Sequence, residues 1–174
     1  MSALPFVRNL PYLCIFLCML SAILLSLGPR AKLAYWTTVC VSAVCAAASL
    51  VFLLYAAKND ASFAFTMGKF PAPFGNEIKG GPLQGLFAAV FSLVMCLCLL
   101  GGRTELFEDV DEKKMGLACV MLCMVLASLL VLSYTNDVFT GYVFVEISTV
   151  AACAGTGTSP AKTRPRTGPA GGRP

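Results

Sequence analysis

One acidic residue stands inside a long apolar run near the end of the chain. Glu146 lies within VFTGYVFVEISTVAACA, residues 138–154, and follows Asp137 by nine positions. In a helix this places it about 13–14 Å from Asp137, near the middle of a bilayer. A charge there costs about 2.5–3.5 kcal/mol on insertion scales, and such acids tend to mark ion or proton pathways. We therefore predict that Glu146 is a proton-relay residue.

The apolar runs contain no basic residue that would neutralise Glu146. All 13 lysines and arginines lie in the N-terminal residues, the connecting segments or the C-terminal tail. Either the carboxyl is protonated, because hydrocarbon disfavours its charge, or its cationic partner belongs to a helix outside this chain. A third interpretation is a neutral Glu146 hydrogen-bonded to Ser148, Thr149 or a neighbouring helix.

The nine cysteines offer a second kind of chemistry. All lie in apolar runs, and two pairs, Cys14/Cys18 and Cys119/Cys123, have the i,i+4 spacing that shares a helix face. Such pairs could hold a soft metal, but cysteine also packs as a small apolar residue. The chain has no histidine and no CxxC motif. We predict a packing role, with no disulfide, metal site, cofactor or catalytic residue.

Composition indicates a membrane protein. The chain has 57% hydrophobic and 13% charged residues, against about 25% charged in soluble domains. We predict an all-α, polytopic membrane helix bundle. Its five transmembrane spans cover residues 10–27, 33–57, 83–100, 115–134 and 138–154. The first span is predicted to be a retained helix rather than a cleaved signal peptide.

The segments between the spans predict how the helices are positioned. Asn136 and Asp137 are helix-capping residues for the last span. Residues 67–86 predict an extended or hairpin-like loop, with the third helix starting near Pro82. Gly81 and Gly85 have the GxxxG spacing of close helix packing. The acidic stretch ELFEDVDEKK, residues 105–114, predicts a solvated loop.

The C-terminal residues 155–174 differ in composition from the helix bundle predicted for residues 1–154. They are rich in Gly, Pro, Thr and Arg and show no apolar periodicity. We predict a disordered tail. We also hypothesise that it is a frameshifted or truncated end of a longer gene.

Charge distribution predicts the topology and excludes one class of partner. With helices alternating in direction, four basic residues fall on one side of the membrane and nine on the other. The positive-inside rule then places the N-terminus outside a cell (plasma) membrane. The absence of a basic stripe outside the tail argues against a nucleic-acid partner.

Two motifs resemble a known family. NDVFTGYVFVEISTVAACA resembles the fifth-helix region of the antiporter-like subunits of complex I, membrane-bound nickel–iron hydrogenases and Mrp-type cation/proton antiporters. GKFPAPFGNEIKGGPL resembles their segment between the second and third helices. The resemblance covers about residues 1–154.

The resemblance implies a role and partners. Glu146 falls on the family's fifth-helix glutamate, which pairs with a lysine of the seventh helix in proton translocation. The chain would be the N-terminal five-helix fragment of such a subunit, not transport-competent alone. Its partners would be other membrane subunits of the complex, the lipid bilayer and protons or sodium ions. Gly81 and Gln84 stand where many relatives carry an acid, which favours the hydrogenase or Mrp-like branch.

Two alternatives remain at this stage. The chain could be a small, complete five-helix scaffold or assembly subunit, with Glu146 paired to a cation of a partner. The less favoured alternative is an enzyme that uses the cysteines. Whether the whole complex is an enzyme, such as a NADH:quinone oxidoreductase-like assembly, stays open.

Overall fold

The computed structural model describes residues 3–28, 31–59, 63–66, 77–110 and 112–157. These residues form six helices and two short strands. In chain order they are α1 (Ala3–Ser26), α2 (Ala31–Asn59), β1 (Phe63–Thr66), β2 (Glu77–Gly80), α3 (Pro82–Gly101), α4 (Arg103–Asp109), α5 (Glu112–Tyr134) and α6 (Val138–Thr156).

Five of these helices are long and apolar enough to cross a membrane: α1, α2, α3, α5 and α6. The predicted all-α polytopic bundle is therefore confirmed, and the chain is a multi-pass membrane protein. The last helix continues two residues beyond the predicted end at residue 154. Of the predicted disordered tail, residues 158–174 lie outside the described part of the chain.

Helix α5 forms the centre of the bundle and packs against α1, α2, α3 and α6. Its buried face contributes to both apolar clusters of the core. In one cluster the rings of Phe52 and Tyr134 meet edge to face at 5.9 Å. In the other, the buried Tyr35 hydroxyl donates a 2.8 Å hydrogen bond to the Leu99 carbonyl oxygen. The helix α6, by contrast, packs mainly against α5.

The predicted hairpin between the second and third long helices is confirmed. Strands β1 and β2 pair in an antiparallel register, with Phe63 opposite Gly80 and Thr66 opposite Glu77. Residues 67–76 of the predicted loop lie outside the described residues. The third long helix begins at Pro82 as predicted, with proline in its first turn.

The close packing predicted from Gly81 and Gly85 is found at Gly85. A Cβ on Gly85 would lie 3.0 Å from Phe52 Cδ1 and 3.3 Å from the Leu53 Cα, so α3 meets the backbone of α2 there. A Cβ on Gly81 would meet only the side chain of Gln84 on its own helix. The second glycine against Phe52 is instead Gly80, whose Cβ would lie 2.9 Å from the ring.

The acidic stretch is not the loop that the sequence predicted. Part of it forms the short helix α4, and its last residues begin α5. Leu106 and Phe107 pack against the core cluster of Tyr35 and Leu99, and Val110 is buried in it. The prediction was based on the charged residues of this stretch and did not consider its apolar ones. These apolar residues pack the segment onto the bundle as an amphipathic helix.

Gly85 supplies a test of the α2–α3 contact. We expect Gly85→Ala to destabilise the folded chain by about 1–3 kcal/mol, because the new methyl group overpacks the contact with Phe52. Reversible unfolding in detergent micelles measures this. The matched control is Gly101→Ala, since a Cβ at Gly101 meets nothing within 4 Å. Equal stability of the two variants would contradict the close approach.

Candidate functional site

The candidate site begins with the turn that starts α6. Asp137 has an extended backbone and caps the helix, as the sequence predicted. Its carboxylate accepts hydrogen bonds from the backbone N–H groups of Phe139, at 3.3 Å, and Thr140, at 3.1 Å. The Thr140 hydroxyl donates a further hydrogen bond at 2.9 Å. The cap fixes where α6 begins and thereby the depth of Glu146.

The cap has an electrostatic consequence. Hydrogen bonds from the Thr140 hydroxyl and backbone N–H, together with that from the Phe139 N–H, lower the pKa of Asp137 below its ordinary value. Its negative charge also stands at the positive end of the helix dipole. The cap therefore stays ionised at neutral pH.

Glu146 lies at mid-depth of α6. The helix has 19 residues, about 28 Å of length, and Glu146 is about 12 Å from its start. The side chain is exposed at the surface of the bundle and borders an open groove of about 680 Å³ between α1, α5 and α6. The other lining residues are nearly all apolar: Ala22, Ile23, Ser26, Leu27, Val120, Met121, Met124, Val143, Ile147, Val150, Ala151 and Ala154.

The hydrogen-bond partners of Glu146 differ from those considered in the sequence. Ser148 donates to the Val145 carbonyl oxygen, and Thr149 donates to the backbone carbonyl of Glu146, each at 2.8 Å. The hydroxyl of Tyr142, one turn earlier on the same helix, is instead the polar side-chain group that interacts with the Glu146 carboxyl. The i,i+4 spacing was the available signal for this partner.

The basic residues lie away from Glu146. Among the side chains that the structure describes, the lysines and arginines all sit at helix ends or outside the spans. They are Lys32, Lys58, Lys79, Arg103 and Lys114. Because Glu146 is mid-span, none of these cations is placed to neutralise it. As the sequence indicated, the described lysines and arginines are separated from the Glu146 carboxyl.

The cysteines contact one another across helices rather than along them. Cys18 and Cys45 approach to 3.5 Å between sulfur atoms, and the Cys45 thiol lies 3.8 Å from the Cys14 carbonyl oxygen. The Cys123 thiol lies 3.8 Å from the hydroxyl of Thr38. These thiols are buried in the core. In the described part of the chain, no group of three or more acidic or cysteine side chains is arranged to hold a metal ion.

The fold of this chain is similar to parts of two known membrane complexes. No protein-family model and no curated protein matches the sequence. The structure matches a chain of the membrane-bound sulfane sulfur reductase, an archaeal respiratory membrane complex, with a TM-score of 0.69 and 19% identity. It also matches a chain of the Mrp complex from Dietzia sp. DQ12-45-1b, with a TM-score of 0.72 and 14% identity.

Each match covers 86% of this chain, but only 29% of the matched reductase chain and 27% of the matched Mrp chain. The chain therefore spans less than a third of their length. At these identities the likeness establishes the fold. The resemblance predicted from the sequence is therefore confirmed as a shared fold with a chain of an Mrp complex and a chain of an archaeal respiratory membrane complex.

The cap on α6 is testable by its pH dependence. We expect Asp137→Ala to lower the melting temperature at neutral pH and to speed amide exchange at Phe139 and Thr140. The pKa of Asp137 is lowered on folding, so its contribution is present above the ordinary carboxyl pKa. It is lost as the pH falls through the lowered value. The control Asp137→Asn keeps an acceptor oxygen and should lose this acid dependence; an unchanged profile would contradict the assignment.

The contact between Tyr142 and Glu146 is testable by infrared spectroscopy. The Glu146 carboxyl band is identified by its loss in Glu146→Gln. We expect Tyr142→Phe to shift this band, because the phenol O–H group near the carboxyl is removed while the ring is retained. Tyr55→Phe, on α2, serves as the control. A band that stays at the same frequency in Tyr142→Phe would show that the hydrogen bond does not form.

Proposed function

We propose that this chain is the N-terminal five-helix part of a proton- or cation-translocating membrane subunit of a complex I-like, hydrogenase or Mrp-type complex. In this proposal Glu146 is a relay residue for the transported ion. The observation that carries the proposal is the position of its carboxyl group: mid-depth in a membrane helix, bordering an open groove. The shared fold with chains of two membrane complexes supports the same class of subunit.

The energetics of the carboxyl group support a relay. If lipid filled the groove, Glu146 would be neutral or would bear the cost of a charge in hydrocarbon, because one tyrosine hydroxyl cannot replace a hydration shell. A covering helix with a basic side chain, or a water-filled cavity, removes that cost. Either arrangement allows the carboxyl to exchange a proton or to bind a cation. The open groove beside α6 can be covered by such a helix or can hold water.

The proposal includes an assembly. The covering helix would come from other membrane helices of the subunit or its complex, and the site of action would be the cell membrane. The exposed apolar side chains of α6, including Val138, Phe139 and Val150, are compatible with packing against such neighbours. In this proposal transport requires those further helices, so the chain by itself does not transport.

Ion flux in the native complex tests the relay. We expect Glu146→Gln to reduce proton or sodium flux into vesicles by at least about tenfold, since proton-transfer groups typically contribute about 100-fold or more. Glu108→Gln is the matched control, because Glu108 is an exposed carboxyl on α4, outside the spans. We expect it to leave the flux unchanged.

Two outcomes separate the proposal from a scaffold. Unchanged flux in Glu146→Gln, with the complex intact on a native gel, would reject the relay and favour a scaffold or assembly subunit. The isolated chain in vesicles should show no flux above protein-free vesicles. Flux through the isolated chain would contradict the proposed dependence on further helices.

A further inference from the structure

Three helices meet at one membrane face of the bundle. The start of α2 is fastened to the end of α3 by the hydrogen bond from Tyr35 to Leu99. The Tyr35 ring also meets the ring of Phe107 on α4 edge to face, at 5.4 Å. These contacts hold the short helix α4 against the beginning of α2.

A tryptophan and an arginine stack at this junction. The Arg103 guanidinium lies over the indole ring of Trp36, 5.7 Å from the ring centroid. This geometry is favourable for a cation–π interaction. Trp36 is half exposed, so the stacked pair stays accessible from outside the bundle.

A second cation extends this surface. Lys32 precedes Trp36 by one helical turn and is exposed, as is Arg103. Residues spaced i,i+4 share a helix face, so Lys32, Trp36 and Arg103 form one continuous surface. We call it the Trp36 surface.

The depth of the Trp36 surface matches the lipid headgroups. Helix α2 has 29 residues, about 43 Å at 1.5 Å per residue, whereas the hydrocarbon core is about 30 Å thick. Shared between the two ends, the excess of about 13 Å carries the first turn of α2 into the headgroup layer and leaves Trp36 at the inner edge of that layer. Tryptophan, lysine and arginine are the residues that typically occupy this layer.

The two acids of α4 whose side chains the structure describes leave the positive charge of this surface available. Glu105 lines a crevice with Met95 of α3 and Leu122 of α5. It is two residues from Arg103, about 200° around the helix, and so faces away from Trp36. Glu108 stands near the opposite end of α4.

We propose that the Trp36 surface binds the phosphate of an anionic phospholipid. Lys32 and Arg103 donate hydrogen bonds to the phosphate oxygens, and the indole packs against the glycerol and the upper acyl chain. Anionic headgroups attract such basic clusters at a membrane surface. The lipid then bridges α2 and α4 and holds α4 at the interface.

Trp36 provides a direct readout, because it is the only tryptophan of the chain. The full chain is placed in nanodiscs that contain a minority of phospholipid brominated near the headgroup end of its acyl chain. We expect brominated phosphatidylglycerol to quench Trp36 fluorescence at a lower mole fraction than brominated phosphatidylcholine. Lys32→Gln/Arg103→Gln should weaken this preference by about twenty-five-fold, at about fivefold for each cation.

The controls decide between a site and a general charge effect. Lys58→Gln/Lys79→Gln removes two cations near the opposite end of α2, and the preference for phosphatidylglycerol should persist. Equal loss in both double variants, or equal quenching by the two lipids, would overturn the proposal. Displacement of the brominated lipid by millimolar inorganic phosphate would show a free-phosphate site instead. Quenching is compared between lipids within each variant, so a change in overall stability does not mimic the result.

Discussion

The low polarity of the membrane interior is the constraint on which this structure depends. A polar group in hydrocarbon needs a partner within the protein. Serine hydroxyls in the spans meet this need locally: Ser92 donates to the Ala88 carbonyl oxygen at 2.6 Å, and Ser128 donates to that of Met124 at 2.8 Å. Such bonds let small polar residues pack inside a bundle that is otherwise apolar. They also leave those hydroxyls engaged, so they do not solvate a neighbouring charge.

Glu146 stands apart from this arrangement. Its carboxyl stands near the Tyr142 hydroxyl and borders a largely apolar groove. The helix that carries it is also the least enclosed of the five long ones. Helix α6 therefore has the fewest packed neighbours of the long helices and also carries Glu146, whose charged form is unfavourable in hydrocarbon.

The two ends of the bundle solve a different physical problem, because water and headgroups supply partners there. The Asp137 carboxylate is held by three donors at the start of α6, which sets the depth of Glu146. On α4, leucine and phenylalanine are turned to the core, while arginine and glutamate are exposed. At Gly85, helix α3 packs closely against the backbone of α2.

The sequence by itself determined the number and approximate bounds of the spans, the capping role of Asp137 and the mid-span position of Glu146. Each follows from hydropathy, residue type or helical rise, which are local properties. Only the tertiary structure decided that the acidic stretch forms α4, that Gly80 joins Gly85 against Phe52 and that the thiols of Cys18 and Cys45 meet. It also decided that Glu146 borders a groove between α1, α5 and α6. These features depend on which helix faces meet, and nearly uniform apolar helices encode that weakly in their patterns.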